Sequence, residues 1–424
     1  MRTFVVIVLT LSCLAWHPAV AQRELPQQGH HAAVAHPLVG DQPRYTGPPS
    51  AIRGITVGPI ESSQQPGRGY GTHYTEALLD ELVRLGANTI SVTPFGRIWS
   101  LQSTHITMDF EAPYEENRLA VQRMVAQAHA RGLRVLLIPH LWVETEGWRG
   151  EIDPGSPEGW RAYRAAYRQF VLAWAKDAAR LGIDAFSIGV ECVSWSGRFG
   201  RYWTRLIAEI REIFPGPLTY SANWDEVEHV LFWDQLDWIG VNAFYPLAHT
   251  KGASYPDYAT GAERAVASLG EQAETLGMPV VMLEIGYTSR ADAAVEPWLW
   301  PDHMKDVAVD EWEQARALSA LIGAAVTKPW LLGVLVWRYY ANLDDVSQEA
   351  IWGFSPHGKL AEVLLAAAYQ EPWAADPAVA PWEHQRLAPK SWSAASGPPP
   401  IQPFAHSRAE HSCGAERPCG PTRR

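Results

Sequence analysis

Two short stretches have the composition of a buried strand and then deliver a carboxylate. FSIGVECVSW, Phe186 to Trp195, is apolar until Glu191, and in VVMLEIGYTS, Val280 to Ser289, the run Val-Val-Met-Leu leads into Glu284. An unpaired charge at the end of an interior strand is costly, so each glutamate needs a reason. Two of them suit acid–base and nucleophilic work, in which one donates a proton and the other attacks or screens a developing cation. A structural reading is open as well, with ion pairs to Arg97, Arg338 or Lys251. The cysteine beside Glu191, Cys192, has no obvious histidine partner and reads as a small buried hydrophobe rather than a nucleophile.

Whether the glutamates meet depends on the elements that carry them. Strand-like runs fall near Ile52–Val57, Thr89–Thr93, Val135–Trp142, Ala185–Glu191, Leu218–Trp224, Trp238–Tyr245, Val280–Gly286 and Gly333–Trp337. Most are rich in Val and Ile without polar alternation, as strands covered on both faces should be. Helical stripes lie between most of them, among them Leu78, Leu79, Leu82 and Leu85, and Ala315, Leu318, Leu321, Ile322 and Ala325. LGAN at 85–88, RGLR at 131–134, LGID at 181–184 and LGMP at 276–279 each place a glycine stop before the next strand. Eight strands in strict alternation with about eight helices predict an α/β fold, a (β/α)8 TIM barrel over residues 51–372. A doubly wound open sheet fits less well, because GPIESSQQPGRGYG after the first strand lacks a glycine-rich phosphate turn.

The flanks read differently. MRTFVVIVLTLSCLAWHPAVAQ has a basic start, an apolar run and small residues before Ala21, the pattern of a signal peptide over 1–21 that is cut after Ala21. Acylation at Cys13 fits the residues around it poorly. Residues 22–50 have no period and read as a linker or arm. His30, His31 and His36 there lack acidic or cysteine partners for a metal. The segment 373–424 is rich in Pro, Ala and Ser and is expected to be mostly disordered, with Cys413 and Cys419 able to close a small disulfide. A secreted or periplasmic protein is expected, with no membrane span. The net charge of −11, without a basic patch, argues against nucleic acid or an anionic membrane as partner. No cofactor or metal is expected. No oligomer interface can be read, and a monomer is expected.

Twenty tryptophans are an unusual load for 424 residues. Trp160, Tyr163, Tyr167, Phe170, Trp174 and Leu181 recur at helical spacing and read as the inner stripe of a long helix. Trp99, Trp142, Trp148, Trp195, Trp224 and Trp337 lie at or just after expected strands and are candidates to stack on the C–H face of a sugar. In a barrel the C-terminal strand ends build the site, so Glu191 on the fourth strand and Glu284 on the seventh share one rim. Paired carboxylates among aromatics fit glycoside hydrolysis.

Glutamates ending the fourth and seventh strands resemble clan A of the retaining glycoside hydrolases. Within the clan, IPHLWVETEGWRGEIDP, SIGVE, DWIGVNAFYPL, VVMLEIGYTS, GVLVWRYY and WGFSPHGKLAEVLL resemble glycoside hydrolase family 113, whose characterised members are β-1,4-mannanases. The resemblance implies that Glu191 is the acid/base and Glu284 the nucleophile, and that Tyr245 hydrogen-bonds Glu284. It implies Trp337 as the floor of the subsite for the attached sugar, and His140, Trp148 and Arg149 as residues lining the cleft. Clan members usually carry asparagine before the acid/base to bind the sugar 2-hydroxyl; this chain has Val190, a departure that family 113 shares. Asn223, beside Trp224, or Asn242 could replace that bond, and both could equally be turn or capping residues. The resemblance implies a polysaccharide or oligosaccharide substrate. Three further readings stay open: a glycosidase of the same fold acting on another β-glycan, a carbohydrate-binding barrel without turnover, and a metal-dependent hydrolase. The last is disfavoured because His140 has no ligand cluster at metal spacing.

Overall fold

The computed structural model describes residues 51–59, 68–299, 307–344 and 349–376. The signal peptide, the arm over 22–50 with its histidines, and Cys413 and Cys419 lie outside these residues. The strands are β1 (Ile52–Gly58), β2 (Thr89–Val92), β3 (Phe95–Ile98), β4 (Arg134–Leu137), β5 (His140–Val143), β6 (Ala185–Val190), β7 (Leu218–Asn223), β8 (Ile239–Asn242), β9 (Val280–Ile285) and β10 (Leu331–Tyr340). Eight of them close in the order β1-β10-β9-β8-β7-β6-β4-β2, every pair parallel, which is a TIM barrel. The remaining two, β3 and β5, form a small parallel sheet of their own.

That small sheet corrects the expected strand Val135–Trp142, which is two strands. Pro139 has no N–H to give the ladder, so β4 stops before it and β5 starts at His140. Pro94 separates β2 from β3 in the same way, and the His140 N–H donates to the Pro94 carbonyl at 2.9 Å. The two breaks carry β3 and β5 past the barrel wall, where they extend the rim. His140 therefore begins a rim strand instead of lying inside a long one.

The helices are α1 (His73–Leu85), α2 (Tyr114–His129), α3 (Pro157–Leu181), α4 (Val193–Ser196), α5 (Gly200–Ile213), α6 (Tyr255–Leu276), α7 (Glu311–Ala325) and α8 (Leu360–Gln370). The expected stripes of α1, α3 and α7 are buried against the barrel. The glycine stops hold too. Gly86 and Gly182, for example, take left-handed φ of 99° and 68° just after α1 and α3, which a residue with Cβ would resist. Strict alternation fails once. Among the described residues no α-helix joins β7 to β8; two 3₁₀ turns, Val227–His229 and Trp233–Gln235, make the connection. Phe232 and Trp233 are buried there and cover the barrel wall that a helix would otherwise cover.

The described chain also runs past the boundary expected at 372. Trp373 lies against the Arg53 guanidinium, 4.5 Å from its ring centre, and Asp376 pairs with Arg53 at 2.8 Å. The same carboxylate accepts the N–H groups of Ala51 (3.0 Å) and Trp373 (2.7 Å), so it ties the end of the barrel to its first strand. Arg53 holds the Asp376 carboxyl well below the usual carboxylate range. We predict that Asp376→Ala costs about 2 kcal/mol of stability, measured as the urea unfolding midpoint. A group with a depressed folded-state pKa stabilises above its unfolded value, so the difference between the two proteins is complete above pH about 4 and shrinks below it. An unchanged midpoint at neutral pH would show that the clasp contributes nothing.

Candidate active site

Glu191 directly follows β6, and Glu284 is the penultimate residue of β9, so the parallel barrel brings both to one rim. They face a cavity of about 1060 Å³ lined by Phe95, Trp142, Trp148, Arg149, Asn223, Trp224, Phe244, Trp298, Trp337, Arg338 and Phe354, among others. Both carboxyls are nearly sealed, at 6% and 4% exposure, and each therefore depends on partners.

Glu191 has three. Trp148 Nε1 donates to Oε2 at 2.8 Å, Arg149 Nη1 reaches the same oxygen at 3.1 Å, and Asn242 Nδ2 donates to Oε1 at 3.0 Å. The loop after β5 supplies the first two. Arg149 is fixed in turn by donating from Nε to the Leu141 carbonyl at 2.9 Å. Gly150 matters here because a Cβ would stand 2.3 Å from the Trp148 ring, so only glycine lets the indole fold back toward Glu191. Glu191 itself has φ of 47°, a left-handed conformation that costs a residue with Cβ roughly 1–2 kcal/mol. Strain of this kind clusters at functional sites.

Glu284 meets His140, with Oε1 and Nε2 2.9 Å apart. The other ring nitrogen, Nδ1, lies 2.8 Å from the Ile138 carbonyl, which can only accept. Nδ1 therefore carries a proton, and a contact of 2.9 Å between Nε2 and a carboxyl oxygen requires one more between them. Glu284 and His140 thus share a proton. Burial pushes the Glu284 carboxyl up to about 8, against the opposing pull of Arg149, Arg338 and the Asn242 amide. Burial, with Arg149 adding to it, pushes His140 down to about 3. Burial thus favours the uncharged pair, with the shared proton toward Glu284. Trp337 stacks on His140 with ring centres 5.8 Å apart and an interplanar angle of 27°.

The expected positions come out as follows. Trp148 and Arg149 line the cleft and touch Glu191, whereas His140 is fully buried, outside the cavity lining, and meets Glu284. Trp337, Asn223 and Trp224 line it. Asn223 spends its amide on Asp225 Oδ1 at 2.6 Å, whereas Asn242 donates to Glu191. Tyr245 requires correction. Among the described residues Glu284 is met by His140 and not by Tyr245, whose ring packs edge-on against Trp224 at 5.8 Å and whose carbonyl accepts from Tyr287 at 2.8 Å. The reason is local: β8 ends at Asn242, so strand alternation no longer sets where Phe244 and Tyr245 point, and Phe244 is the one that lines the cavity. Trp195 is no platform either, being fully buried and stacked on Trp203 at 4.4 Å. Trp99 is 73% exposed and outside the cavity lining. Cys192 is buried and its thiol is pushed up to about 12 by that burial, which makes it inert.

Sequence reasoning missed Trp298 and Phe354. Trp298 stacks on Trp224 at 5.6 Å and 14°, and extends the aromatic wall from a loop with no periodic signal. Two buried polar atoms in the site have no partner among the described residues, Asn242 Oδ1 and Trp337 Nε1. An acceptor and a donor left open beside two carboxyls are what a sugar's hydroxyl groups would satisfy.

A closed parallel barrel with two partnered glutamates at its mouth and an aromatic cleft above them has the build of a glycoside hydrolase acting on O-glycosyl bonds. Residues 63–359 match the model of Glycoside Hydrolase Family 113, and the chain belongs to that family. Among solved structures it is similar to the family 113 β-mannanase of Alicyclobacillus acidocaldarius in complex with ManMIm, with 27% identity and a TM-score of 0.65 over 76% of this chain and 97% of that one. A second family 113 β-1,4-mannanase matches at 23% identity and a TM-score of 0.65, over 76% and 99% of the two chains. A family 5 mannosidase from Rhizomucor miehei shares the fold at 11% identity and a TM-score of 0.53, over 76% and 93%. No curated protein matches the sequence.

The Trp148 contact gives a direct test. Gly150→Ala should displace the indole from Glu191 and lower kcat by about 10- to 100-fold with the melting temperature little changed. Full activity in that variant would mean that Trp148 does not orient Glu191.

Proposed function

We propose that this chain is an exported retaining β-1,4-mannanase with Glu191 as acid/base and Glu284 as nucleophile. One observation carries the mechanism: two buried carboxyls, one just after β6 and one near the end of β9, face the same aromatic cavity. In a retaining enzyme such a pair acts as acid/base and nucleophile at a separation of about 5–5.5 Å, whereas inverting enzymes leave room for a water between the carboxyls.

In the first step a Glu284 oxygen attacks the anomeric carbon while Glu191 gives its proton to the leaving oxygen. The product is a glycosyl ester on Glu284 and an ionised Glu191. In the second, Glu191 takes a proton from water, the resulting hydroxide displaces Glu284 from the sugar, and both residues return to their starting states. Glu284 attacks as a carboxylate, so the shared proton must sit on His140 Nε2 at that moment and donate back to Oε1. Arg149 and Arg338 favour the ionised form of Glu284. Trp337 is suited to floor the subsite, with its open N–H directed at a hydroxyl. Asn242 Oδ1 is suited to the contact that Val190 cannot make. Membership of the family and similarity to the Alicyclobacillus β-mannanase support mannan as the substrate.

A second reading has a specific observation behind it. Burial favours a proton on Glu284, and Glu191 is paired with Arg149, which is the pattern expected if the roles were exchanged. One set of variants separates the two. With the proposed roles, Glu284→Ala abolishes turnover, whereas Glu191→Ala still cleaves substrates with activated leaving groups and is rescued by azide with retention. Rescue of Glu284→Ala instead would exchange the roles, and full activity in both variants would make the pair structural. Product masses from mannan, glucomannan, β-glucan, xylan and chitin oligosaccharides test the substrate, and cleavage of any but the mannans overturns that part. Export predicts a secreted form whose N-terminus is Gln22; a retained, uncut chain would contradict it.

A further inference from the structure

Glu191 holds a backbone conformation it would not choose, and its neighbours show what imposes it. Its own N–H donates to the Ser221 carbonyl of β7 at 2.8 Å. The next N–H, of Cys192, donates to the Tyr220 hydroxyl at 2.6 Å, also on β7. That hydroxyl donates onward to Glu226 Oε1 at 2.6 Å, and Glu226 Oε2 accepts the Asn223 N–H at 2.8 Å. The peptide units on both sides of Glu191 are thus pinned to one strand, one by backbone and one through a tyrosine held by a third carboxyl. Tyr220 and Glu226 are both fully or almost fully buried, and neither lines the cleft. A Cβ at Gly189 would stand 3.1 Å from the Tyr220 ring and 2.5 Å from the Tyr167 hydroxyl, so the glycine two residues before Glu191 makes room for the tyrosine to cross beneath the strand.

We infer that Tyr220 and Glu226 are positioning residues for the acid/base, a clamp on the Cys192 amide that holds Glu191 in its left-handed turn and aims its carboxyl at the leaving-group oxygen. The inference rests on the proposed role of Glu191. A carboxyl buried to this degree, pushed by that burial up to about 7 and held down by its hydrogen bonds, is an expensive way to fill space. It is explained if two acceptor oxygens are needed at that point. Glutamine offers one acceptor and one donor, so it can satisfy Tyr220 or Asn223 but not both.

The test uses the chemistry of an acid catalyst. Protonation matters for a poor leaving group and hardly at all for a good one. We would measure kcat/KM on β-mannobiosides bearing 2,4-dinitrophenyl and phenyl leaving groups for Tyr220→Phe, Glu226→Gln and Glu191→Ala, with melting temperatures alongside. The expected result is a loss of about 10- to 100-fold on the phenyl substrate and under about threefold on the dinitrophenyl one for both clamp variants, in the same direction as Glu191→Ala. Equal losses on the two substrates, following a drop in melting temperature, would reduce the clamp to packing and overturn the inference. So would no loss at all while Glu191→Ala discriminates between the substrates. If Glu191→Ala itself shows no such discrimination, the acid/base role falls and the clamp falls with it. Should Tyr220→Phe fail to fold, the volume-preserving Glu226→Gln decides alone.

Discussion

A carboxyl taken out of water loses its charge unless the protein gives it partners, and the mouth of this barrel is arranged around that constraint. Glu191 and Glu284 answer it differently. The first is surrounded by donors, one of them a guanidinium; the second is paired with a buried histidine and shares its proton. Asn242, on β8, completes the shell of donors around Glu191. The donors come from the loop after β5, from the start of β5 and from β8, so the site exists only while the barrel is closed in this strand order.

The supporting layer follows the same logic. The loop after β5 brings Trp148 and Arg149 over Glu191, and it keeps its shape because Arg149 also bonds the backbone of Leu141 and because Gly150 leaves room for the indole. Below Glu191, Tyr220 and Glu226 occupy the interior between β6 and the turns after β7. The one connection without an α-helix, between β7 and β8, is also the one that supplies Glu226. A helix starting directly after β7 would have directed that carboxyl differently. The departure from regular alternation and the support of Glu191 are therefore one feature of the chain.

Much of this was legible in the order of residues. Val- and Ile-rich runs, helix stripes and glycine stops define a parallel barrel because burial on both faces and left-handed helix ends are properties of local sequence. The two glutamates stood out because a charged residue at the end of an apolar run contradicts its surroundings. Two prolines, Pro94 and Pro139, marked breaks that a continuous reading of the strand passes over. Trp195 and Tyr245 point away from the cleft because neither lies in a strand: Trp195 belongs to α4, and Tyr245 lies past the end of β8, so the period of two sets the direction of neither ring.

What the sequence determined by itself is the set of elements, their order and the two carboxylates at strand ends, since these follow from hydrophobic period, helix stops and the cost of charge in an apolar run. Tertiary structure decided the partners. That His140 and not Tyr245 shares a proton with Glu284, that Asn242 reaches Glu191, that Trp298 joins the aromatic wall and that Glu226 sits behind Glu191 all depend on contacts between residues far apart in the chain. Local preference carries no information about such contacts, because they are made only when the eighth strand closes on the first.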